Sequence, residues 1–303
     1  MMFATPVVLI IFNRPHLTEA VFAAIARVRP EKLFVIADGP RFPEEARKCQ
    51  MAKSIIDRVD WDCKILTDVS EKNLGCKRRV ASGLDWVFAQ VDEAIILEDD
   101  SVPDPSFFMF CQALLERYRH DERVMEIAGS NWQLGHKRTD YSYYFSKHSH
   151  TWGWATWKRA WRYYDENLTI WPDMKGTEAW TSMWDDAREA EYWEFMLDRV
   201  FVGKIDTWDY QWQFTMWCRE GLSAVPNVNL VSNIGFGADA THTKRARHLL
   251  AGLPTHRLED MRHPPSVNRH READKFFFEQ FLWDKPWKRY LRKIRGTLRR
   301  MMR

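Results

Sequence analysis

The chain has 303 residues, a formal net charge of +3, 45% hydrophobic and 29% charged residues, a composition that excludes a disordered or fibrous protein and allows one large domain or two modest ones. Five scattered cysteines without a CxxC pair suggest neither a disulfide framework nor a zinc site and fit a reducing cytoplasm. Residues 281–303 carry nine Lys or Arg against one Asp, so the body is net acidic, the basic character belongs to the tail, and nucleic acid is not expected as a partner.

"PVVLIIFN" reads as a buried strand, since the apolar run 7–12 is too short for a membrane span. "LTEAVFAAIARV" has helical spacing, and "KLFVIADG" is a second buried strand. A polar helix over about 43–58, a strand "CKILTD", a helix "GCKRRVASGLDWVFAQV" and a strand "AIILED" follow. This βαβ alternation predicts an α/β fold: an open, mostly parallel, doubly wound sheet flanked by helices, with its ligand beyond the carboxyl ends of the strands. Polar clusters fall at those ends: Asn13 and Arg14, Asp38 and Gly39, and Glu98 to Asp100.

After a helix over about 105–119, "VMEIAGSNW" reads as another strand, and the pattern then turns irregular, aromatic and turn-rich up to Asn229. Eleven of the 16 tryptophans lie between Trp152 and Trp217, a density that suits sugar stacking as well as core packing. "NVNLVSNIGFGADATHT" closes this part with a Gly-rich loop. From about 246 the composition turns His-, Pro- and Arg-rich, which divides the chain into a domain of 1–245 and a linker and tail of 246–303.

The triplet Glu98-Asp99-Asp100 is the sharpest chemical signal. Hard divalent cations take oxygen ligands, and Mg²⁺ or Mn²⁺ is held by one or two carboxylates while substrate phosphates complete the shell. A helix cap and solvated acids is the competing reading. Lys77, Arg78 and Arg79 open a helix, where exposed N–H groups and the dipole favour anions, though such residues also make solvated faces. Asp38 is placed to accept hydrogen bonds from a base or ribose, or to form a turn. In "DTWDYQW" Asp209 sits beside Trp208 and Trp212, surroundings that raise a carboxylate's proton affinity and suit a general base, with a helix N-cap as the alternative. His242, after the glycine loop, is a candidate for metal or diphosphate, and His148 and His150 are weaker ones.

This ordered set resembles the glycosyltransferases of GT-A fold, most closely those similar to N-acetylglucosaminyltransferase I, over roughly residues 5–240. "VLIIFNR" looks like the first strand with its nucleotide-contacting Arg14, and "VIADG" like the strand whose Asp38 meets the uracil. "IILEDDSVPDPSFFMFCQALL" resembles the acidic metal motif, "TWGWATWKRAW" the acceptor-side segment, and "TWDYQW" the motif of the catalytic carboxylate. The resemblance implies Glu98 and Asp99 near the ribose and donor sugar, Asp100 as the ligand of Mn²⁺ (or Mg²⁺), and Asp209 as base. Unlike the Golgi members, no anchor or stem is expected, and a basic tail is added.

The expected activity is therefore metal-dependent transfer of a sugar from a nucleotide-sugar donor, UDP-linked, to a glycan or lipid-linked acceptor, inverting by single displacement. A sugar nucleotidylyltransferase and a non-catalytic carbohydrate-binding protein are the alternatives; "FNRPH" lacks the Gly-rich loop of the former. In the tail, Trp287, Leu291, Ile294, Leu298 and Met301 share one helical stripe among basic residues, which suits peripheral contact with an anionic membrane surface on its inner face.

Overall fold

The computed structural model describes residues 3–236 and 249–283. Strand β1 (Val7–Ile11) is buried at every position; covered on both faces, it shows a continuous apolar run rather than an alternation. Helix α1 (Pro15–Val28) opens on a proline whose missing N–H has no partner to lose there, turns Leu17, Val21, Phe22 and Ile25 inward, and ends at Arg29 in the left-handed conformation. Then come β2 (Lys32–Ala37), α2 (Ala46–Ser54), β3 (Lys64–Val69), α3 (Gly75–Phe88) and β4 (Glu93–Glu98). The polar helix expected over about 43–58 is α2 between two short 3-10 turns.

Beyond β4 lie β5 (Ser101–Pro103), α4 (Pro105–Arg117), capped by the Asp104 carboxylate, and β6 (Val124–Ala128). The stretch expected to be irregular contains β7 (Tyr143–Ser146), β8 (Trp154–Trp157), the short helices α5 (Lys158–Trp161), α6 (Trp171–Met174) and α7 (Glu178–Ser182), then α8 (Ala187–Phe201), α9 (Asp209–Cys218) and β9 (Leu222–Pro226), and β10 (Val231–Asn233) is a short strand before the Gly-rich loop. All four residues of β7 and of β8 are buried. With both faces covered, neither strand carries the alternation that marks a strand in sequence.

The eight-stranded sheet has the order β3-β2-β1-β4-β8-β6-β9-β7. β1 pairs in parallel with β2 and β4, and β2 with β3. β8 is inserted antiparallel between β4 and β6, β9 runs parallel to β6, and β7 closes the edge antiparallel to β9. The expected open, mostly parallel α/β sheet is thus the observed one. A separate antiparallel ribbon pairs β5 with β10, Ser101 opposite Asn233, and brings residues 233–235 against Asp100 at the end of β4.

Most of the tryptophans are core. Trp154, Trp157, Trp171, Trp180 and Trp212 are fully buried. The segment "TWGWATWKRAW", likened from sequence to an acceptor-side segment, consists mainly of the buried strand β8 and the short helix α5, while Trp152 is half-buried. Residues 249–283, in the stretch expected to be a linker, are anchored to the body. The His256 N–H donates to Asn229 O at 2.8 Å and the His270 N–H to Phe145 O at 2.7 Å. In α10 (Arg271–Phe277), buried Asp274 accepts from Ser146 Oγ at 2.6 Å and pairs with Arg269. The membrane-binding stripe of the tail lies outside the described residues, and no described helix is long and apolar enough to cross a membrane.

Gly129, which follows β6, lets three segments close on one another. Its N–H donates to Gly153 O at 2.7 Å, and an added Cβ would lie 2.5 Å from Val231 Cγ2 and 2.6 Å from Gly153 O. Gly129→Ala should cost about 1–3 kcal/mol of stability through overpacking against β10, read as a lowered midpoint in thermal unfolding; an unchanged midpoint would mean that the ribbon yields freely.

Candidate active site

From β1 the chain builds outward through β2 and β3 on one side and starts again with β4 on the other. The strand order reverses between β1 and β4, and at such a switch point a doubly wound sheet opens a crevice beyond its carboxyl ends. A cavity of about 900 Å³ lies there, lined by Phe12 and Arg14 after β1, Asp38 after β2, Arg79 of α3, Glu98, Asp99 and Asp100 at the end of β4, and Asp209 of α9. Seven of the sequence candidates are thus brought together. Arg78 is exposed and is not among the residues lining the cavity; one helical step from Arg79, it faces solvent. His242 lies outside the described residues. His148 and His150 are fully buried, and burial pushes the His150 imidazole down to about 3.

Arg14 bridges the acids across the switch point. Its Nε and Nη2 fork onto the two oxygens of Asp99, and its Nη1 lies 2.9 Å from Asp100 Oδ2. Asp100 is wedged from the other side as well: Asn233 Nδ2 donates to Oδ1 at 3.2 Å, and the Ile234 N–H donates to the Asp100 carbonyl at 2.9 Å. Gly235 closes this contact, because a Cβ there would sit 2.0 Å from Asp100 Oδ2. The local field follows from this crowding. Burial first, then Asp100 and Asp99, push the Glu98 carboxyl up to about 8, with Arg14 opposing and Asp209 adding. Burial lifts Asp99 to about 6 against the pull of Arg14. Desolvation weakens the hold of Arg14 on its proton, but Asp99 and Asp100 outweigh it and raise its proton affinity.

Asp38 is saturated. Its Oδ1 accepts from the N–H groups of Gly39 and Leu74, both at 2.9 Å, and its Oδ2 from Asn73 Nδ2 at 2.9 Å and the Gly75 N–H at 3.1 Å. Burial raises its proton affinity despite those four donors. A carboxylate offers about four lone-pair sites, so Asp38 shapes the wall of the cavity with little capacity left for a base or ribose. It also takes the N–H groups at the start of α3 that sequence reading offered to a phosphate. Arg79 pairs with Asp68 at 2.6 Å, and its buried Nε has no hydrogen-bond partner among the described residues.

Asp209 opens α9 and accepts a hydrogen bond from the Thr207 hydroxyl. Trp208 and Trp212, expected to enclose it, are themselves buried: Trp208 stacks on Trp154 with ring centres 5.4 Å apart, and Trp212 Nε1 donates to Glu126 Oε2 at 2.8 Å. Glu126 also accepts from the His150 N–H at 2.8 Å and Ser223 Oγ at 2.7 Å, and burial pushes it up to about 7. This carboxyl ties α9, β9 and the 147–153 loop to β6 and so fixes where Asp209 begins. Burial and the acids Glu98, Asp209 and Asp206 raise the Cys76 thiol far above its usual range, so it holds its proton and is no nucleophile.

Sequence reading missed Trp132, Asn233, Gly235 and Phe277. The first and last form the aromatic side of the cavity, stacked with ring centres 5.5 Å apart. The amphipathic "READKFFFEQFL" is the signal for Phe277, and "SNIGFG" the one for Asn233 and Gly235.

The donor set tests the expected cation. Glu98, Asp99 and Asp100 offer only oxygen, which suits Mg²⁺ or Mn²⁺. Among the described residues no three His, Cys, Asp or Glu groups cage a metal by themselves. The oxygen donors therefore suit a hard cation in type, and such a cation would need further ligands beyond these side chains.

No family model matches the chain, and no curated protein matches it. Solved structures do. The chain is similar to the inositol-1-phosphate CTP transferase from T. maritima, at 8% identity over 79% of this chain and 93% of that one, with a TM-score of 0.41. It is similar to mouse xyloside xylosyltransferase 1 at 11% identity over 70% and 81%, with a TM-score of 0.35. An active-site mutant of LgtC aligns at 10% identity over 94% and 99%, with a TM-score of 0.38. Likeness at this level decides nothing about the chemistry of this chain.

Glu98 gives the site a pH signature. A carboxyl raised from 4.5 to about 8 in the folded state takes up a proton on folding between those values, so it costs stability as pH rises through that window. Glu98→Gln cannot ionise. Its unfolding temperature without metal should gain on the wild type from about pH 4.5 to about 8 and level off above; parallel curves in calorimetry would show that Glu98 is not raised.

Proposed function

We propose that this protein is a metal-dependent glycosyltransferase that moves a sugar from a UDP-linked donor to a glycan or lipid-linked acceptor hydroxyl. One observation carries the reading: Arg14 and the acidic triplet flank the switch point of the sheet and share its cavity with Asp209. A cation-binding carboxylate and a guanidinium side by side suit a diphosphate leaving group, and a carboxylate lining the same cavity suits a base.

In this reading Asp100 holds the cation and Arg14 a diphosphate oxygen. A bound Mn²⁺ or Mg²⁺ would supply neutralisation of the charge that develops on the departing diphosphate. The same reading puts Glu98 and Asp99 toward the ribose and donor sugar and Arg79 toward the nucleotide. Asp209 takes the proton of the acceptor hydroxyl as its oxygen attacks the anomeric carbon, while the bonding pair leaves with the nucleoside diphosphate. A single displacement with inversion needs one base and no covalent intermediate, and Asp209 is the base in this reading. Trp132, Trp152 and Phe277 offer ring faces and edges to the acceptor. The tail, with roughly 1 kcal/mol per basic residue near anionic lipid, would keep a cytoplasmic enzyme at the inner face of the membrane.

A panel of nucleotide sugars with Mn²⁺, assayed for slow release of nucleoside diphosphate, tests the activity without an acceptor. Asp100→Asn should lower that release about a hundredfold or more. Asp209→Asn should keep UDP binding and lose about 10²–10⁴ in transfer. Formation of a nucleotide sugar and pyrophosphate from UTP and a sugar phosphate would replace this reading with nucleotidyl transfer, and glycan binding without nucleotide or metal would replace it with a lectin-like role.

A further inference from the structure

In the free protein the carboxylate offered to the cation is already taken. Arg14 Nη1 sits 2.9 Å from Asp100 Oδ2, the oxygen that Gly235 packs against from the other side, and Asn233 holds Oδ1. The same guanidinium is forked onto Asp99, which is 3% exposed, and its own side chain is 14% exposed. We propose that Arg14 is an internal counter-ion that occupies the cation's place on Asp100, so that the metal enters only when a nucleoside diphosphate draws Nη1 away. This inference rests on the metal and nucleotide reading above.

The geometry separates two roles within one side chain. Two nitrogens stay on Asp99 as an anchor, in the planar fork that suits guanidinium and carboxylate. The third is exchangeable between one carboxylate oxygen and a phosphate oxygen. While Nη1 is on Asp100, an approaching cation meets a fixed positive charge within a few ångströms, where like charges repel strongly in a partly dry site. A diphosphate supplies both the new partner for Nη1 and the remaining ligands of the metal. Metal and nucleotide then assist each other by one shared factor, as linkage requires.

The test is calorimetric titration of Mn²⁺, at pH 8, into wild type, wild type with UDP, and Arg14→Gln. The wild type should bind Mn²⁺ weakly alone and tightly with UDP, and Arg14→Gln should bind Mn²⁺ alone about tenfold more tightly than the wild type or better. If the wild type binds Mn²⁺ with UDP but Arg14→Gln gains nothing for Mn²⁺ alone, the counter-ion role is overturned and the proposed enzyme stands. If the wild type binds no Mn²⁺ even with UDP, the metal reading itself falls. Should Arg14→Gln fail to fold, Arg14→Met serves: it removes the charge and keeps an unbranched side chain, so Mn²⁺ alone should again bind more tightly than in the wild type, and an unchanged affinity overturns the proposal.

Discussion

Six carboxylates, Asp38, Glu98, Asp99, Asp100, Asp206 and Asp209, line one cavity with Arg14, Arg41, Arg79 and Lys204, and two of the acids, Asp99 and Asp100, share the guanidinium of Arg14. That imbalance needs support from the frame, and the pairing of β1 with β4 supplies it. Ile10 lies opposite Glu98 in a parallel register that begins at Val7 and Ile95, so Arg14 and the acids leave adjacent strands at the same level. A slip by one residue would turn every side chain of β4 to the other face of the sheet. Both strands are apolar on both faces, and their burial on two sides is what sets the register firmly enough to hold like charges together.

On the opposite wall the frame is aromatic. Trp154 of the inserted strand stacks with Trp208, and Trp161 stacks on Tyr164 with ring centres 4.3 Å apart. Such packing leaves α9 no apolar face free, yet it would not fix the direction of the helix by itself. Glu126 does so: an acid with three donors from three segments is satisfied in one arrangement only, and a half-satisfied buried carboxyl costs more than an apolar substitute. The site thus combines a tolerant hydrophobic mass with one polar contact that is intolerant of error.

The acidic half of the cavity was legible in sequence because its elements are short, buried and bounded by turns. β1, β2 and β4 announce themselves as apolar runs that end in Arg14, Asp38 and the acidic triplet, and strand ends are where ligand chemistry gathers in such sheets. The roles were less legible than the positions. Asp38 reads as a base contact, but its hydrogen bonds go to Gly39, next in the chain, and to Asn73, Leu74 and Gly75, which come near it only on folding. Arg78 and Arg79 look equivalent in sequence, yet a helix turns adjacent residues about 100° apart and lets one of them into the cavity. β7 and β8 were hidden by their own burial, since aromatic runs covered on both faces carry no period.

The other half of the cavity had no local signature because it is assembled over long separations. Trp132 and Phe277 are far apart in the chain and meet only because α10 is clamped to β7, with Asp274 held by Ser146 and Arg269. Arg269 in turn reaches Asp185 at 2.9 Å, just before α8. The two halves therefore draw on different parts of the chain: Arg14 and the acidic triplet come from the first hundred residues and are braced by Asn233 and Gly235, while the aromatic side needs a C-terminal segment fastened by ion pairs. The C-terminal segment also touches the first half at one point, since the Gly252 N–H donates to Asn233 O at 2.9 Å and Asn233 holds Asp100, so changes in it reach both what the cavity accepts and how the acids are held.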